Sequence, residues 1–256
     1  MRSFIAFTRK EFTEQLRSGK ITFLCILFVL FGIMNPAVAK LTPWLMEQFA
    51  DTLADSGMIL TEVTVTALDS WVQFFKNIPM ALIAFVLLES SIFTKEYRSG
   101  TLVLSLTKGL SRAKVIVSKT FTLAALWTAG YWLCYAVTYV YNAYFWDNAI
   151  AQSLGFSVNL WWLFGLWVVS LMTLFSVLTS SNTGVLVGTG GVAFGSYLCG
   201  MIPTVNEYLP TLLADGNSLI YGLKEPKEYA ASLTVTAVTA VAFCIVSHIM
   251  FNRKQL

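Results

Sequence analysis

The chain has 256 residues, of which 56% are hydrophobic and 12% charged, with 14% aromatic. A soluble domain of this length carries about a quarter charged residues, so the composition excludes one and specifies an integral membrane protein. The formal net charge of +3 says little as a total, because the placement of charge along a membrane chain carries the information.

The first predicted element is a basic helix over residues 1–20. At 100° per residue Phe4, Ile5, Thr8, Phe12 and Leu16 fall on one arc, and Arg2, Arg9, Lys10, Glu14, Arg17 and Lys20 occupy the rest. Such a helix lies in the headgroup plane with its basic face toward anionic lipid. Six apolar runs follow, each near the roughly 20 residues that cross a bilayer: 21–39, 77–93, 115–141, 160–179, 184–202 and 229–250. The first run ends in Ala37-Val38-Ala39, which resembles a signal-peptide cleavage site. Its basic lead-in and apolar stretch are both too long for one, so a retained helix is expected.

Lys and Arg set the expected orientation. Thirteen lie in residues 1–20, in Lys95–Lys119 and in the tail, against Lys40, Lys76, Lys224 and Lys227 on the opposite side. The positive-inside rule then places both termini and the 94–114 loop in the cytoplasm. The opposite loops are acidic, with Glu47, Asp51, Asp55, Glu62 and Asp69 in the first and Glu207, Asp215, Glu225 and Glu228 in the last.

The densest charge sits in KEYRSGTLVLSLTKGLSRAK, Lys95–Lys114. Gly100 breaks the helix leaving the membrane, and Thr101 is suited to cap a new one. Leu102, Leu106 and Leu110 recur at i, i+4 and i+8, forming one apolar ridge on a segment too short to span. Gly109 ends it, and Ser111 is the expected N-cap of the third span, with Leu110 and Val115 at staple spacing. Spacing alone leaves two readings open, a loop lying flat on lipid and a helix that docks in a partner's groove.

Further along, 203–228 is semi-apolar, interrupted by prolines and too short for two spans, which suits a re-entrant segment dipping from outside. Gly184/Gly188 and Gly191/Gly195 are GxxxG spacings that permit close helix approach, within the chain or between copies. Glu89 is the carboxylate set inside a span; snorkelling or pairing with Lys95 or Arg98 competes with a place on a transport path. Trp127 and Tyr131 suit packing or an aromatic lining. Cys25, Cys134, Cys199 and Cys244 all fall in apolar runs and read as packing residues. His248 has no second ligand at metal spacing, so no metal site is expected. There is no G-x-x-x-x-G-K-[ST], so nucleotide binding by a P-loop is not expected in this chain.

The run from Phe93 through Lys95-Glu96, Gly100-Thr-Leu and Leu110-Ser-Arg112 to Lys119 resembles the pattern of type-two ATP-binding-cassette permeases. So does the leading Arg9-Lys10-Glu11-Phe12 helix. Gly109 departs from the pattern, where many members carry Pro. The resemblance covers the whole chain and implies an all-α permease of six spans with a coupling helix and an extracellular re-entrant hairpin. A separate ATPase, binding ATP and Mg, would dock on Glu96, Thr101, Leu102, Leu106, Lys108, Leu110 and Arg112. A second permease copy would meet the Gly184, Gly188, Gly191 and Gly195 helix. The acidic outer face and aromatic wall suggest amphipathic or cationic cargo, and phenol-soluble-modulin and antimicrobial-peptide exporters are the neighbouring family members. An ion-coupled transporter would need coupling carboxylates in broken helices, of which only Glu89 is a candidate. A non-transporting anchor or sensor would keep the docking loop yet leave ATP turnover unchanged by cargo.

Overall fold

The computed structural model describes residues 2–48, 64–107 and 109–254. These residues are helical with short turns, and no strand occurs among them. Helix α1 (Arg2–Arg17) turns through Gly19 into α2 (Lys20–Gln48). Next come α3 (Ala67–Glu89), α4 (Ser91–Ser99), α5 (Thr101–Thr107) and the long α6 (Arg112–Phe145). Helices α7 (Leu154–Leu178) and α8 (Asn182–Cys199) follow, then α9 (Pro203–Asn206), α10 (Gly216–Ile220) and α11 (Ala230–Arg253).

Among the described residues five stretches are long and apolar enough to cross a bilayer: Lys20–Gln48, Ala67–Ser99, Arg112–Phe145, Leu154–Leu178 and Pro226–Arg253. The remaining expected span, the fifth at 184–202, corresponds to α8, which is 18 residues long and diluted by five glycines. Each of the six apolar runs is helical, the 77–93 run being divided at Ser90 between α3 and α4, and the helices over 21–39 and 115–141 extend beyond the run at both ends. Pro36, Pro43 and Pro79 sit inside helices without ending them, as spans tolerate when neighbours satisfy the freed backbone.

Helix α7 is the central post. It packs against α11, α8 and α6, while α2 packs on both α3 and α6. The core is aromatic where α2, α3, α6 and α7 meet. Trp127 has ring contacts at 6.0 Å with Phe28, 5.7 Å with Phe85 and 5.4 Å with Tyr131, separations at which edge-on pairs attract. Two glycines make the approach possible. A Cβ on Gly130 would meet the Phe28 ring at 2.4 Å, and one on Gly165 would meet the Trp127 ring at 2.1 Å.

The stretch between α8 and α11 is folded onto the bundle. It has two single-turn 3₁₀ segments, Pro210–Ala214 and Pro226–Tyr229, besides α9 and α10. Pro210, Leu212, Leu213, Leu219 and Ile220 are buried. Ser232 Oγ donates to Leu209 O at 2.5 Å and Tyr229 Oη to Asp215 O at 3.0 Å. These side-chain bonds replace ladder bonds that an irregular backbone lacks. Asp51, Asp55 and Glu62 of the first acidic loop lie outside the described residues, as does Lys108.

Candidate functional site

The side chains with the most unusual chemistry gather where α1 meets the Lys95–Lys119 region. Helix α1 has three faces rather than two. Phe7, Glu11 and Gln15, one turn apart, are buried against the protein. Ile5 and Leu16 are exposed on the apolar arc, and Arg9, Lys10 and Arg17 are exposed on the basic one.

The buried face of α1 delivers a carboxylate to a buried lysine. Lys119 of α6 is 1% exposed, and its Nζ lies 2.8 Å from Glu11 Oε2 and 3.0 Å from Glu96 Oε2. Its ammonium also donates to Ile92 O at 2.9 Å. An ammonium in a dry interior is tolerated only when its charge is answered; here two carboxylates flank it, and Glu11 and Ile92 O accept its hydrogen bonds. Lys10 extends the knot, pairing with Glu96 as well as with Glu11 at 3.1 Å and Glu14 at 3.2 Å. Lys95 then holds Glu14 at 2.8 Å. Burial works most strongly against the Lys10 ammonium, yet the carboxylates of Glu96 and Glu11 together hold its pKa well above the ordinary value. The Lys95 hydrogen bond, with Lys10 behind it, pulls the Glu14 carboxyl down to about 2.

A second pair lies beside the first. Glu89, fully buried at the end of α3, accepts from Gln15 Nε2 at 2.6 Å and lies 3.6 Å from Lys20 Nζ. Lys20 also donates to Ser91 Oγ at 3.2 Å. The partners of Glu89 are therefore Gln15 and Lys20, and neither Lys95 nor Arg98 is among them.

Helix α4 is the hub of this region. Besides Lys95 and Glu96 it presents Thr94, which hydrogen-bonds Asn182 at the start of α8, and Tyr97, whose ring lies 4.3 Å from Lys254 Nζ. Lys254 in turn donates to the carbonyls of Val177 at 2.8 Å and Thr179 at 3.3 Å, answering the open end of α7. Burial lowers its pKa.

Beyond the hub, Gly100 adopts φ +68°, the left-handed turn that separates α4 from α5. Thr101 opens α5, its hydroxyl 2.8 Å from Ser99 Oγ. The leucine ridge does not point outward as a unit. Leu102 is 1% exposed in the chain's own core, and Leu106 and Leu110 are half-buried against it. Among the described side chains of α5, Val103, at 42% exposed, is an apolar one turned to the outside. Gly109 takes φ +86° and ends the segment, and Ser111 occupies the N-cap of α6 in extended geometry without a side-chain cap bond. Arg112 faces inward, donating to the carbonyls of Phe251 at 3.1 Å and Asn252 at 3.3 Å and to Lys254 O. It closes the end of α11. Glu96, read as a docking residue, is 4% exposed inside the knot.

The other sequence candidates are dispersed. Gly184 and Gly188 are spent on packing within the chain, where a Cβ would meet Thr179 at 2.8 Å and Phe175 at 2.2 Å. Gly191 and Gly195 face open space. Trp127 and Tyr131 are fully buried; Trp127 Nε1 donates to Trp162 O at 3.1 Å and Tyr131 Oη to Val158 O at 2.7 Å. Carboxylate oxygens of Glu11, Glu14 and Glu96 come within 4.8 Å of one another. Ammonium groups of Lys10, Lys95 and Lys119 already fill the positions a cation would take.

Sequence reasoning missed Glu11, Gln15 and Lys119 as members of one site. A signal existed. Glu11 and Gln15 fall at 20° and 60° on the α1 wheel, flanking Phe4, so polar groups interrupt the apolar arc.

Comparison with known proteins gives two findings. Residues 5–256 match the family described as ABC-2 family transporter protein. The chain is also 23% identical over 267 residues to the Uncharacterized transmembrane protein YxlG of Bacillus subtilis (strain 168), covering 100% of this chain and 99% of that one.

Proposed function

The chain belongs to the ABC-2 transporter family, and from that membership we propose that it is the membrane-spanning subunit of an ATP-driven exporter. In this reading it crosses the bacterial plasma membrane six times, α8 being the fifth span, with both termini in the cytoplasm. ATP and Mg are bound and turned over by a separate cytoplasmic ATPase, and this chain catalyses nothing itself. A second permease, identical or related, packs on the open Gly191/Gly195 side of α8. The cargo is amphipathic, with peptides the preferred class, and it leaves the cell.

The single observation that carries this reading is the α4–Gly100–α5 corner. A short helix is turned off the end of a span by a left-handed glycine and clasped from behind by buried ion pairs. Force applied to α5 reaches α6 through Glu96–Lys119, α1 through Glu96–Lys10, and α8 through Thr94–Asn182. Thr101, Val103 and Thr107 form the exposed surface offered to the ATPase, while Leu102, Leu106 and Leu110 hold α5 against the bundle from within.

The test is purification of the chain in mild detergent from native membranes and identification of co-eluting subunits. A nucleotide-binding subunit that is retained by the parent chain and lost on Val103→Asp supports the reading. A chain that elutes alone, or a partner indifferent to Val103→Asp and Leu106→Asp, returns the segment to a flat interfacial loop.

A further inference from the structure

Helix α2 interrupts its own hydrogen-bond ladder twice. Pro36 has no N–H for Gly32 O, and Pro43 has none for Ala39 O. Both prolines sit inside one continuous helix, so each freed carbonyl calls for a donor from elsewhere. The first has one. Thr138 Oγ1 of α6 donates to Gly32 O at 3.0 Å. The same hydroxyl accepts from Asn35 Nδ2 at 3.0 Å, and Asn35 Oδ1 accepts from Asn77 Nδ2 of α3 at 2.8 Å.

The second freed carbonyl belongs to the same face. Gly32 and Ala39 are two turns apart on α2, and Ala39 is 1% exposed. Helices α2 and α6 run parallel there: a Cβ on Gly32 would meet Val137 at 2.8 Å, Asn35 bonds Thr138, and Lys40 Nζ lies 3.5 Å from the Phe145 ring centre. One turn further along α6 than Thr138 stands Asn142. It is fully buried, and neither its Nδ2 nor its Oδ1 has a hydrogen-bond partner among the described residues. Ser70 Oγ, buried and likewise without a partner, lies on the face of α3 that carries Asn77.

Helix rise measures what Asn142 would have to bridge. Ala39 O stands about 10 Å beyond Gly32 O, whereas Asn142 stands about 6 Å beyond Thr138. The remaining gap of about 4–5 Å is too long for a direct hydrogen bond and matches the span of one water. The amide's chemistry selects the same ligand. A cation would answer Oδ1 and leave the Nδ2 protons unmet, and an anion would do the reverse. Water donates and accepts, so it can serve both ends.

We propose that Asn142 anchors a small cluster of buried water, one molecule of which accepts from Nδ2 and donates to Ala39 O. Thr138 thus answers the carbonyl freed by Pro36 directly, and Asn142 answers the one freed by Pro43 through solvent. Beyond Pro36, α2 is tied to α6 by these bonds in place of its own ladder. The site follows from the packing of α2 on α6 and not from the transport reading.

The full chain, with isotope-labelled asparagine and tryptophan nitrogens, would be placed in lipid bilayers for water-edited solid-state NMR. The readout is the rate at which water magnetisation reaches each side-chain N–H. Asn142 Nδ2, identified by its loss in Asn142→Leu or Asn142→Ser, should build up severalfold faster than Trp127 Nε1. That indole is equally buried and donates to Trp162 O. Pro43→Ala returns an amide to α2 for Ala39 O and should slow the build-up at Asn142. Build-up at Asn142 in the parent chain as slow as at Trp127 overturns the proposal, since the amide is then dry. Fast build-up that Pro43→Ala leaves unchanged overturns the bridge, because the water then serves a group other than Ala39 O.

Discussion

Lys119 states the local problem in one side chain. It is a long flexible ammonium at the depth of Phe7 and Phe93, whose rings lie 5.9 and 5.6 Å from its Nζ. It is stable there because Glu11, Glu96 and Ile92 O supply everything its charge requires. Replacing it with Met would leave two carboxylates buried and uncompensated, a loss of about 3–5 kcal/mol for breaking a buried pair from one side. Lys119→Met should lower the melting midpoint in detergent sharply, and adding Glu11→Gln should recover part of the loss. If the double variant is no more stable than the single one, the knot is not held by charge. The outer part of the knot titrates. The folded Glu14 pKa of about 2 lies below the ordinary 4.5, so its contribution is present above 4.5 and lost as pH falls from 4.5 toward 2. Lys10 is raised in the fold, so its contribution is full below 10.5 and lost as pH climbs through the higher folded value. A spin label at Ala6, on the exposed side of α1, should gain mobility across the acid window, and in Glu14→Gln that step should be absent.

At the scale of elements, two glycine substitutions separate packing within the chain from packing between chains. Gly165→Ala drives a methyl into the Trp127 indole, which is wedged between Phe28 and Phe85 and cannot retreat; overpacking of this kind costs on the order of 1–3 kcal/mol. Gly191→Ala meets nothing within 4 Å, so its effect on the isolated chain should stay within about 0.5 kcal/mol. If a second copy packs on α8, Gly191→Ala lowers the dimer fraction in detergent without lowering the melting midpoint of the monomer. A falling monomer midpoint would mean that α8 packs inside the chain more tightly than its open face indicates. The elements themselves were legible in the sequence because a bilayer demands long apolar runs, and all six runs are helices. Their faces were legible only in part. The i, i+4, i+8 leucines Leu102, Leu106 and Leu110 announce an apolar ridge, but periodicity does not say whether the ridge seats on the chain's own core or on a partner. Leu102 at 1% exposed gives the answer for this chain. The α1 wheel gives an apolar arc and a basic remainder and leaves Glu11 and Gln15 unassigned, because polarity alone does not distinguish a buried pair from a solvated one.

For the whole molecule, the arrangement around α4 makes a specific mechanical claim. Helix α5 is tied to α1, α6 and α8 through a single short helix, so the turn at Gly100 sets the angle at which any push arrives. Gly100 stands at φ +68° with open space around its Cα, so an alanine there is strained by its backbone alone, by about 1 kcal/mol. If the chain works with a separate ATPase as proposed, Gly100→Ala in proteoliposomes holding both should leave ATPase binding intact and reduce cargo-stimulated ATP turnover severalfold. Unchanged stimulation would show that the corner is a passive link.

The sequence by itself determined that this chain is a helical membrane protein, where its apolar helices run, and that the Lys95–Lys114 segment is exceptional. Those features follow from local rules, namely apolar length, helical period, glycine breaks and the side on which cations collect. The tertiary structure decided which charges are paired. Glu11 and Lys119 are separated by 108 residues and touch at 2.8 Å, and Gln15 reaches Glu89 across 74. No pattern along the chain encodes such a meeting. It exists because α1 folds back beneath α4 and α6, where burial makes every unpaired charge costly and so fixes the partner of each one.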